Sequence, residues 1–250
     1  MHRKQLTILL VLLGIYALSA FLVYAFFTDQ LMAMTGIPMP DMGVSNTVLG
    51  LANAGIVLVV YGAVGLIGYW FARKLDLPGI FSENGNWNRW LVIPLLLGLV
   101  CGVLLVIGDL LFAPINEFGH FPHPAFPSSI LASISAAIGE EIMFRDFFFG
   151  LWGLILSWLL RRFNGRTLAL WIANLMAALA FGAGHLGTLF LLTGASSIAE
   201  LNPVLLFEVF LLNGIVGLVA GERYMKDGLL AAAGVHFWTD VVFHVFWGLF

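Results

Sequence analysis

Long apolar runs, interrupted by few charged residues, occupy most of this chain of 250 residues. An α-helix rises about 1.5 Å per residue, so about 20 apolar residues cross the hydrocarbon core of a bilayer. Seven stretches are long enough, at 5–27, 46–72, 90–113, 128–160, 167–193, 201–221 and 227–249. Hydrophobic residues make up 61% of the chain and charged residues 10%, whereas soluble domains have about 45–50% and about 25%. The sequence therefore predicts an all-α, polytopic transmembrane helical bundle.

These stretches imply one membrane-embedded domain over residues 1–250, with N-terminal spans in 1–113 and a C-terminal core in 128–249. The fourth stretch is too long for one upright span. We expect it either to tilt or to divide into two helices, which would raise the count from seven to eight. A short re-entrant or surface segment is also an alternative around 186–197. The apolar run after Lys4 is long enough to remain as a signal-anchor helix.

The positively charged residues fall on one side of this predicted topology. Ten of the eleven Lys and Arg residues precede the first stretch or lie after the second, fourth and sixth stretches. The other connections contain none. By the positive-inside rule, we expect a cytoplasmic N-terminus and an external C-terminus. We expect this multi-pass protein in a prokaryotic plasma membrane. The partner surface is the lipid bilayer, and no feature of the charge pattern indicates nucleic-acid binding.

The remaining basic residue, Arg145, belongs to a charged segment inside the fourth stretch, with Glu140, Glu141 and Asp146. A charge at the bilayer centre costs about 2.5–3.5 kcal/mol on insertion scales, so such residues are usually paired or functional. On a helix, Glu141 and Arg145 share a face, which favours a structural ion pair. Glu140 is rotated by about 100° and can point into a cavity. Asp146 could share the charge of Arg145 or mark a helix break.

Two later stretches carry histidines at membrane depth, in Phe181-x-x-x-His185 and His236-x-x-x-Asp240. An acid four residues from a histidine can orient its ring and increase its basicity. We therefore predict one buried site for hydrolysis. Glu140 would be the general base that takes a proton from water, and His236 with Asp240 would stabilise an oxyanion.

Other interpretations compete with hydrolysis by a glutamate-activated water. The charged residues could form only a structural network, and a single membrane histidine is more often an interhelical hydrogen-bonding residue. A metal hydrolase could hold a divalent ion with His185, His236 and a carboxylate, although no His-Glu-x-x-His motif is present. Intramembrane acids and histidines also serve proton-coupled transporters. A membrane binding or immunity protein without activity is a further alternative.

A few polar residues receive no role in the predicted site. Glu208 is an intramembrane acid with no recognisable motif. His244 is turned by about 80° from His236 around an α-helix, so we place it outside the site. His120 and His123 lie in a connection rich in Pro and Phe, and we interpret them as loop residues.

The three motifs together resemble those of the CAAX protease and bacteriocin-processing family, also called the ABI family or type II CAAX prenyl endopeptidases. The set is Glu140-Glu141-x-x-x-Arg145, Phe181-x-x-x-His185 and His236-x-x-x-Asp240. All three are complete and in the family's order. The resemblance covers the C-terminal half of the chain and does not reach the first three stretches.

The resemblance implies an intramembrane glutamic endopeptidase that uses no metal or cofactor and cleaves a peptide or a prenylated protein. It assigns water activation to Glu140 with His185, support of the site to Glu141, Arg145 and Phe181, and the oxyanion site to His236 with Asp240. The eukaryotic-type prenyl proteases usually have Asn where this chain has Asp240, whereas many prokaryotic members have Asp. Because an ionised Asp cannot donate a hydrogen bond, Asp240 would act when protonated or by orienting His236.

Overall fold

The computed structural model describes residues 2–30 and 43–250, which form helices joined by short connections. Seven candidate membrane spans are present in these residues. The first four are α1 (His2–Phe26), α2 (Asn46–Lys74), α3 (Asn88–Phe112) and α4 (Ser128–Leu159). The fifth is divided into α5 (Arg166–Gly184) and α6 (Leu186–Thr193), and the last two are α7 (Pro203–Asp227) and α8 (Leu229–Leu249). The predicted all-α transmembrane bundle is confirmed.

The long helix α4 is a single span. It runs from Ser128 to Leu159, so the alternative of two separate helices is wrong. Its middle, Ile142–Phe149, is π-helical. Each hydrogen-bonded ring of a π-helix contains one more residue than in an α-helix, and such segments are frequent at functional sites. Asp146 lies within this segment and does not end the helix.

The break in regular helix falls at His185 instead. The N–H of His185 donates to the carbonyl of Gly182 at 3.1 Å, which closes α5 with a tight turn. The helix α6 then extends to Thr193, and Gly194 ends it with a left-handed φ of 74°. The expected surface segment around 186–197 is therefore a short helix followed by a turn.

The sixth span is longer than the sequence predicted. It was expected to end at residue 221, but α7 continues to Asp227. Its last turns are held by ion pairs one turn apart: Arg223 with Asp227 at 3.0 Å, and Lys226 with Glu222. Pairs at this spacing stabilise a helix, which explains why these basic residues extend α7 rather than forming a connection.

Glycines allow close helix contacts at two places. On α3, a Cβ at Gly98 would lie 2.6 Å from the carbonyl oxygen of Val235 on α8. On α7, a Cβ at Gly217 would lie 2.9 Å from the Cα of Ala178 on α5. Close approach of small residues is a main source of helix association in lipid, because lipid tails are as apolar as the side chains. These contacts hold α3 against α8 and α5 against α7 around the candidate site.

The main apolar core occupies the half of the bundle next to the basic connections. Its large members Ile142, Phe149, Tyr224 and Leu229 are at most 1% exposed. Such close packing leaves little room for water. The core therefore closes the bundle beneath the candidate site.

The helix α8 begins inside the protein, because the connection between α2 and α3 lies under its first turn. The N–H of Leu229 donates to Gly79 O at 2.9 Å, and that of Leu230 to Ile80 O at 2.8 Å. Counting residues from the start of α8 therefore underestimates the depth of His236 in the bundle. This explains how a histidine early in α8 meets one at the end of α5.

Candidate active site

The residues of the three motifs meet around one cavity of about 430 Å³. Its walls include Glu140 from α4, Phe181 at the end of α5, His185 at the break before α6, and His236 and Asp240 from α8. Glu141 and Arg145 lie behind the wall and are fully buried. The predicted convergence of the motifs on one buried polar site is therefore present in the fold.

Glu141 connects two of the motifs. Its Oε1 lies 3.1 Å from Arg145 Nη1, which forms the ion pair predicted from the four-residue spacing. The same oxygen accepts a hydrogen bond from His236 Nδ1 at 2.9 Å. Asp240 Oδ1 lies 3.6 Å from His236 Nε2, beyond hydrogen-bonding distance. The carboxylate that is hydrogen-bonded to His236 is therefore Glu141, a partner the sequence did not predict, whereas Asp240 lies near the other ring nitrogen.

Phe181 lies at the centre of the site. Its ring meets those of His185 and His236 edge to face, with centroids 5.0 and 5.3 Å apart. The guanidinium carbon of Arg145 lies 4.5 Å from the centroid of the same ring. A cation over an aromatic face is attracted by the ring quadrupole, by about 2 kcal/mol when desolvated. Phe181 thus holds both imidazoles and the buried cation in one packed unit.

The proton arrangement of His185 follows from its partner. Its Nδ1 lies 2.9 Å from the carbonyl oxygen of Phe181. A carbonyl only accepts, so Nδ1 carries the proton and Nε2 of the neutral ring is an acceptor. The break between α5 and α6 places this ring on the cavity wall. His185 can therefore receive a hydrogen bond from water or substrate.

Glu140 presents a carboxylate to the cavity without a protein partner on one oxygen. Its Oε2 is buried and makes no hydrogen bond. Glu141, one residue later, is rotated by about 100° and points away from the cavity into the bundle. The two glutamates therefore lie as the sequence predicted: Glu141 is paired within the bundle, and Glu140 faces the cavity.

Comparison with known proteins agrees with this geometry. Residues 122–242 match the family described as type II CAAX prenyl endopeptidase Rce1-like. This part of the chain is similar to the Rce1-like family. The matched segment contains all three motifs and excludes the first three spans. No curated protein and no solved structure matches the chain. The chain is thus a multi-pass membrane protein in which residues 122–242 are similar to a CAAX-type protease family.

The cavity contains a third histidine, which the sequence analysis placed outside the site. His244 lines the same cavity as His236. The last part of α8, Val241–Phe246, is π-helical, so each residue turns the chain by less than about 100°. This change brings His244 back towards the face of His236. A prediction that assumes an ideal α-helix places the two histidines on different faces and cannot find this.

A connection outside the spans roofs this cavity. We call residues 113–127 the roof loop; Phe121, Pro122 and Pro124 from it line the cavity. His123 Nδ1 lies 3.0 Å from His244 Nδ1, so the two rings share a hydrogen bond. His123 is therefore more than the plain loop residue that its sequence context indicated.

Asp109, a buried acid in α3, fixes the roof loop from below. Its Oδ1 accepts the N–H of Phe121 at 3.1 Å. Its Oδ2 lies 2.6 Å from His120 Nδ1 and 3.1 Å from Trp247 Nε1. Sequence reasoning did not single out Asp109, although an acid within an apolar span was the available signal.

Glu208 fixes the same loop through Asn116. Its Oε2 accepts a hydrogen bond from Asn116 Nδ2 at 2.8 Å. Asn116 Oδ1 in turn accepts the N–H groups of Phe118 and Gly119 at 2.9 and 2.8 Å. An Asn that bonds backbone amides two and three residues later stabilises a turn. The partner that the sequence left unassigned for Glu208 is thus a loop asparagine.

Asp146 takes no part in the cavity wall. Its Oδ1 accepts a hydrogen bond from the hydroxyl of Tyr224 at 2.8 Å, and both residues are fully buried. The suggestion that Asp146 shares the charge of Arg145 is not supported, since Glu141 is the carboxylate on that guanidinium. Asp146 joins α4 to α7 beneath the site.

The side chains of the cavity do not form a metal-binding group. Within residues 2–30 and 43–250, no three His, Cys, Asp or Glu side chains are grouped as a metal site. The ligand set of the metal-hydrolase alternative therefore has no geometric support there.

Proposed function

We propose that this protein is an intramembrane glutamic endopeptidase that hydrolyses a peptide bond with a water activated by Glu140 and His185. The observation that carries the proposal is the single cavity of about 430 Å³ lined by Glu140, His185, His236 and Asp240. These residues come from three parts of the sequence, and helix packing brings them together. The similarity of residues 122–242 to the Rce1-like family supports the same reaction class.

In the proposed reaction, water binds between Glu140 and His185. Glu140 takes a proton from this water while the water oxygen attacks the carbonyl carbon of the scissile bond. His185 Nε2 accepts a hydrogen bond from the second hydrogen of the water, which stays bonded to the water oxygen, and so orients the water. The proton on Glu140 then passes to the leaving nitrogen as the C–N bond breaks. The products are a new carboxyl terminus and a new amino terminus.

The oxyanion formed by this attack is assigned to His236 and Asp240. Glu141 holds His236 Nδ1 as a donor, which leaves Nε2 on the cavity side near Asp240. A proton carried by either His236 Nε2 or the Asp240 carboxyl can donate a hydrogen bond to the developing negative charge. Donors placed in advance at this position are worth about 10²–10³ in kcat in other hydrolases.

The walls above these groups are apolar and suit a hydrophobic substrate segment. They include Leu105, Leu189, Leu192, Leu212 and Val216. Either apolar side chains or a prenyl group next to the scissile bond can occupy such a surface. We therefore propose a peptide or protein substrate and leave prenylation to the experiment.

A transporter requires a path that reaches both sides of the membrane in turn. The cavity instead ends above the packed core that contains Phe149 and Tyr224, which are both fully buried. This closed floor favours hydrolysis within one half of the bundle over transport.

The decisive experiment is cleavage of prenylated and unprenylated peptide pools by purified protein, with products identified by mass spectrometry. Glu140→Gln keeps the shape of the side chain but removes the base, so we expect activity to fall by about 10²–10⁴-fold. Asp76→Asn, which changes an exposed carboxylate far from the cavity, is the matched control and should cleave normally. Equal cleavage by wild type and Glu140→Gln would refute the role of Glu140.

The same assay distinguishes hydrolysis by a glutamate-activated water from hydrolysis by a metal-bound water. We expect 1,10-phenanthroline to leave the activity unchanged, because the proposed water is activated by side chains alone. Inhibition that added zinc reverses would instead establish a metal-dependent hydrolase.

A further inference from the structure

The cavity lies towards one end of the bundle. It extends from mid-depth, at His236, to Phe121 and Pro124 in the roof loop. The opposite half is filled by the packed core around Phe149 and Tyr224. A substrate therefore reaches the site from the roof-loop end, and the closed core blocks approach from the other end.

The charges differ sharply between these two ends. The helices α1, α3 and α6 end at the roof-loop end, and the sequence that follows each of them up to the next helix contains no Lys or Arg. Ten of the eleven basic residues lie at the other end, and the eleventh, Arg145, is paired with Glu141 inside the bundle. The exposed charged residues at the roof-loop end, in the described part of the chain, are Asp29, Glu117 and Glu200.

Basic residues near the ends of membrane helices remain in the cytoplasm, whereas acidic residues have little influence on orientation. The end opposite the cavity is therefore the cytoplasmic end. We propose that the active site opens to the non-cytoplasmic side of the membrane and acts on exported peptide segments, either secreted or membrane-anchored. The cleavage in this inference rests on the proposed function, whereas the side to which the cavity opens does not.

The surface around the opening indicates which peptides fit. A polar groove next to the cavity shares Leu192 with it and includes Glu117 and Glu200. The Glu200 carboxylate accepts hydrogen bonds from Ser196 N and Ser197 Oγ, which lower its pKa and keep it ionised. We expect apolar residues at the cleavage point and neutral or basic residues beside it. Acidic flanks should raise KM by about twofold to fivefold, an effect that salt reduces.

The orientation is tested with single cysteines in intact bacterial cells that express the full chain. Cys101→Ala removes the only native cysteine, which is buried and free. Ala199→Cys reports the roof-loop end and Thr167→Cys the basic end; both positions are exposed. A small membrane-impermeant methanethiosulfonate should modify Ala199→Cys in intact cells, and Thr167→Cys only after permeabilisation. The reverse pattern would overturn the inference.

The cavity itself is tested with Thr188→Cys, since Thr188 lines the cavity and is exposed. We expect equal modification in intact and permeabilised cells. Modification only after permeabilisation would show that the cavity faces the cytoplasm and would overturn the inference. None of these labelling experiments requires catalysis. They can therefore refute the proposed orientation without refuting the proposed peptidase activity, and a failed peptidase assay does not refute the orientation.

Cleavage is then measured in sealed vesicles of both orientations with an impermeant quenched peptide that has an apolar cleavage point. We expect cleavage by right-side-out vesicles and its loss in inverted vesicles until detergent opens them. Cleavage by inverted vesicles alone would overturn the inference while supporting the proposed peptidase. If neither orientation cleaves before or after detergent, although the cysteines label as expected, the claim of action on exported peptides is overturned.

Discussion

Glu141 Oε1 accepts a hydrogen bond from His236 Nδ1 at 2.9 Å. The two residues are 95 positions apart in the chain and lie on α4 and α8. Asp240, only one turn from His236 on the same helix, is farther away at 3.6 Å from the other ring nitrogen. In a metal-free site, a carboxylate behind a histidine fixes the tautomer and orientation of the ring, as it does in catalytic triads. The second glutamate of the motif therefore positions a cavity histidine and also pairs with the buried arginine.

Glu141→Ala should destabilise the protein strongly. It leaves the guanidinium of Arg145 buried without a counter-charge, and breaking a buried pair from one side costs about 3–5 kcal/mol. Thermal unfolding in detergent measures the loss. Adding Arg145→Met should recover most of the stability but not the peptidase activity, because His236 still lacks its partner. Single and double variants of equal stability would contradict this account.

Asp240→Asn should retain activity, whereas Asp240→Ala should reduce kcat by about 10²–10³-fold. The amide of Asn can donate a hydrogen bond to the oxyanion, while Ala offers no donor. Because Asp240 makes no short hydrogen bond to His236, neither change should disturb the ring, and unfolding temperatures should stay similar. Complete loss of activity in Asp240→Asn would show that the carboxyl group itself is needed.

Phe181→Leu should lower both stability and kcat, because Leu offers no aromatic face to Arg145 and no ring to His185 or His236. Phe181→Ala should cost more, about 3–5 kcal/mol, since it also opens a cavity. Phe207→Leu is the matched control, because that side chain is 57% exposed on α7 and should tolerate the change. Equal effects of the two Leu substitutions would contradict a specific role for Phe181.

Asp109→Ala should loosen the roof loop. It removes the acceptor for Phe121 N–H and Trp247 Nε1–H, and each buried donor left unsatisfied costs about 1–3 kcal/mol. Limited proteolysis should then cut within 113–127, with KM raised more than kcat is lowered. Asp109→Asn keeps one carbonyl acceptor and should be cut less readily than Asp109→Ala. If Asp109→Ala is cut no faster than wild type, Asp109 does not order the roof loop.

The roof loop should also weaken at acid pH. Burial lowers the pKa of His123, although the negative charge of Asp109 opposes this shift. A folded pKa below the unfolded value of about 6.5 means that the unfolded chain binds more protons, so stability falls as the pH decreases through that value. Lowering the pH from about 7.5 to about 5 should therefore reduce the Tm of wild type more than that of His123→Phe. Parallel pH dependences would contradict the prediction.

Much of the architecture follows from local sequence patterns. Each apolar stretch satisfies its own backbone hydrogen bonds as a helix, so the spans were predictable to within a few residues, with the end of α7 as the main error. The pair of Glu141 and Arg145 was equally predictable, because four residues along a helix bring two side chains to one face. The motifs also indicated the family that residues 122–242 match.

The sequence by itself thus determined the helices, their apolar character, the charge difference between the two ends, and the set of polar residues at membrane depth. Tertiary structure alone decided which of these residues touch. The π-helical turns returned His244 to the cavity, the covered start of α8 set the depth of His236, and Asn116 became the partner of Glu208. The physical reason is that periodicity fixes the face of a residue within one helix. Contacts between helices depend on the packing of distant segments, which no local pattern contains.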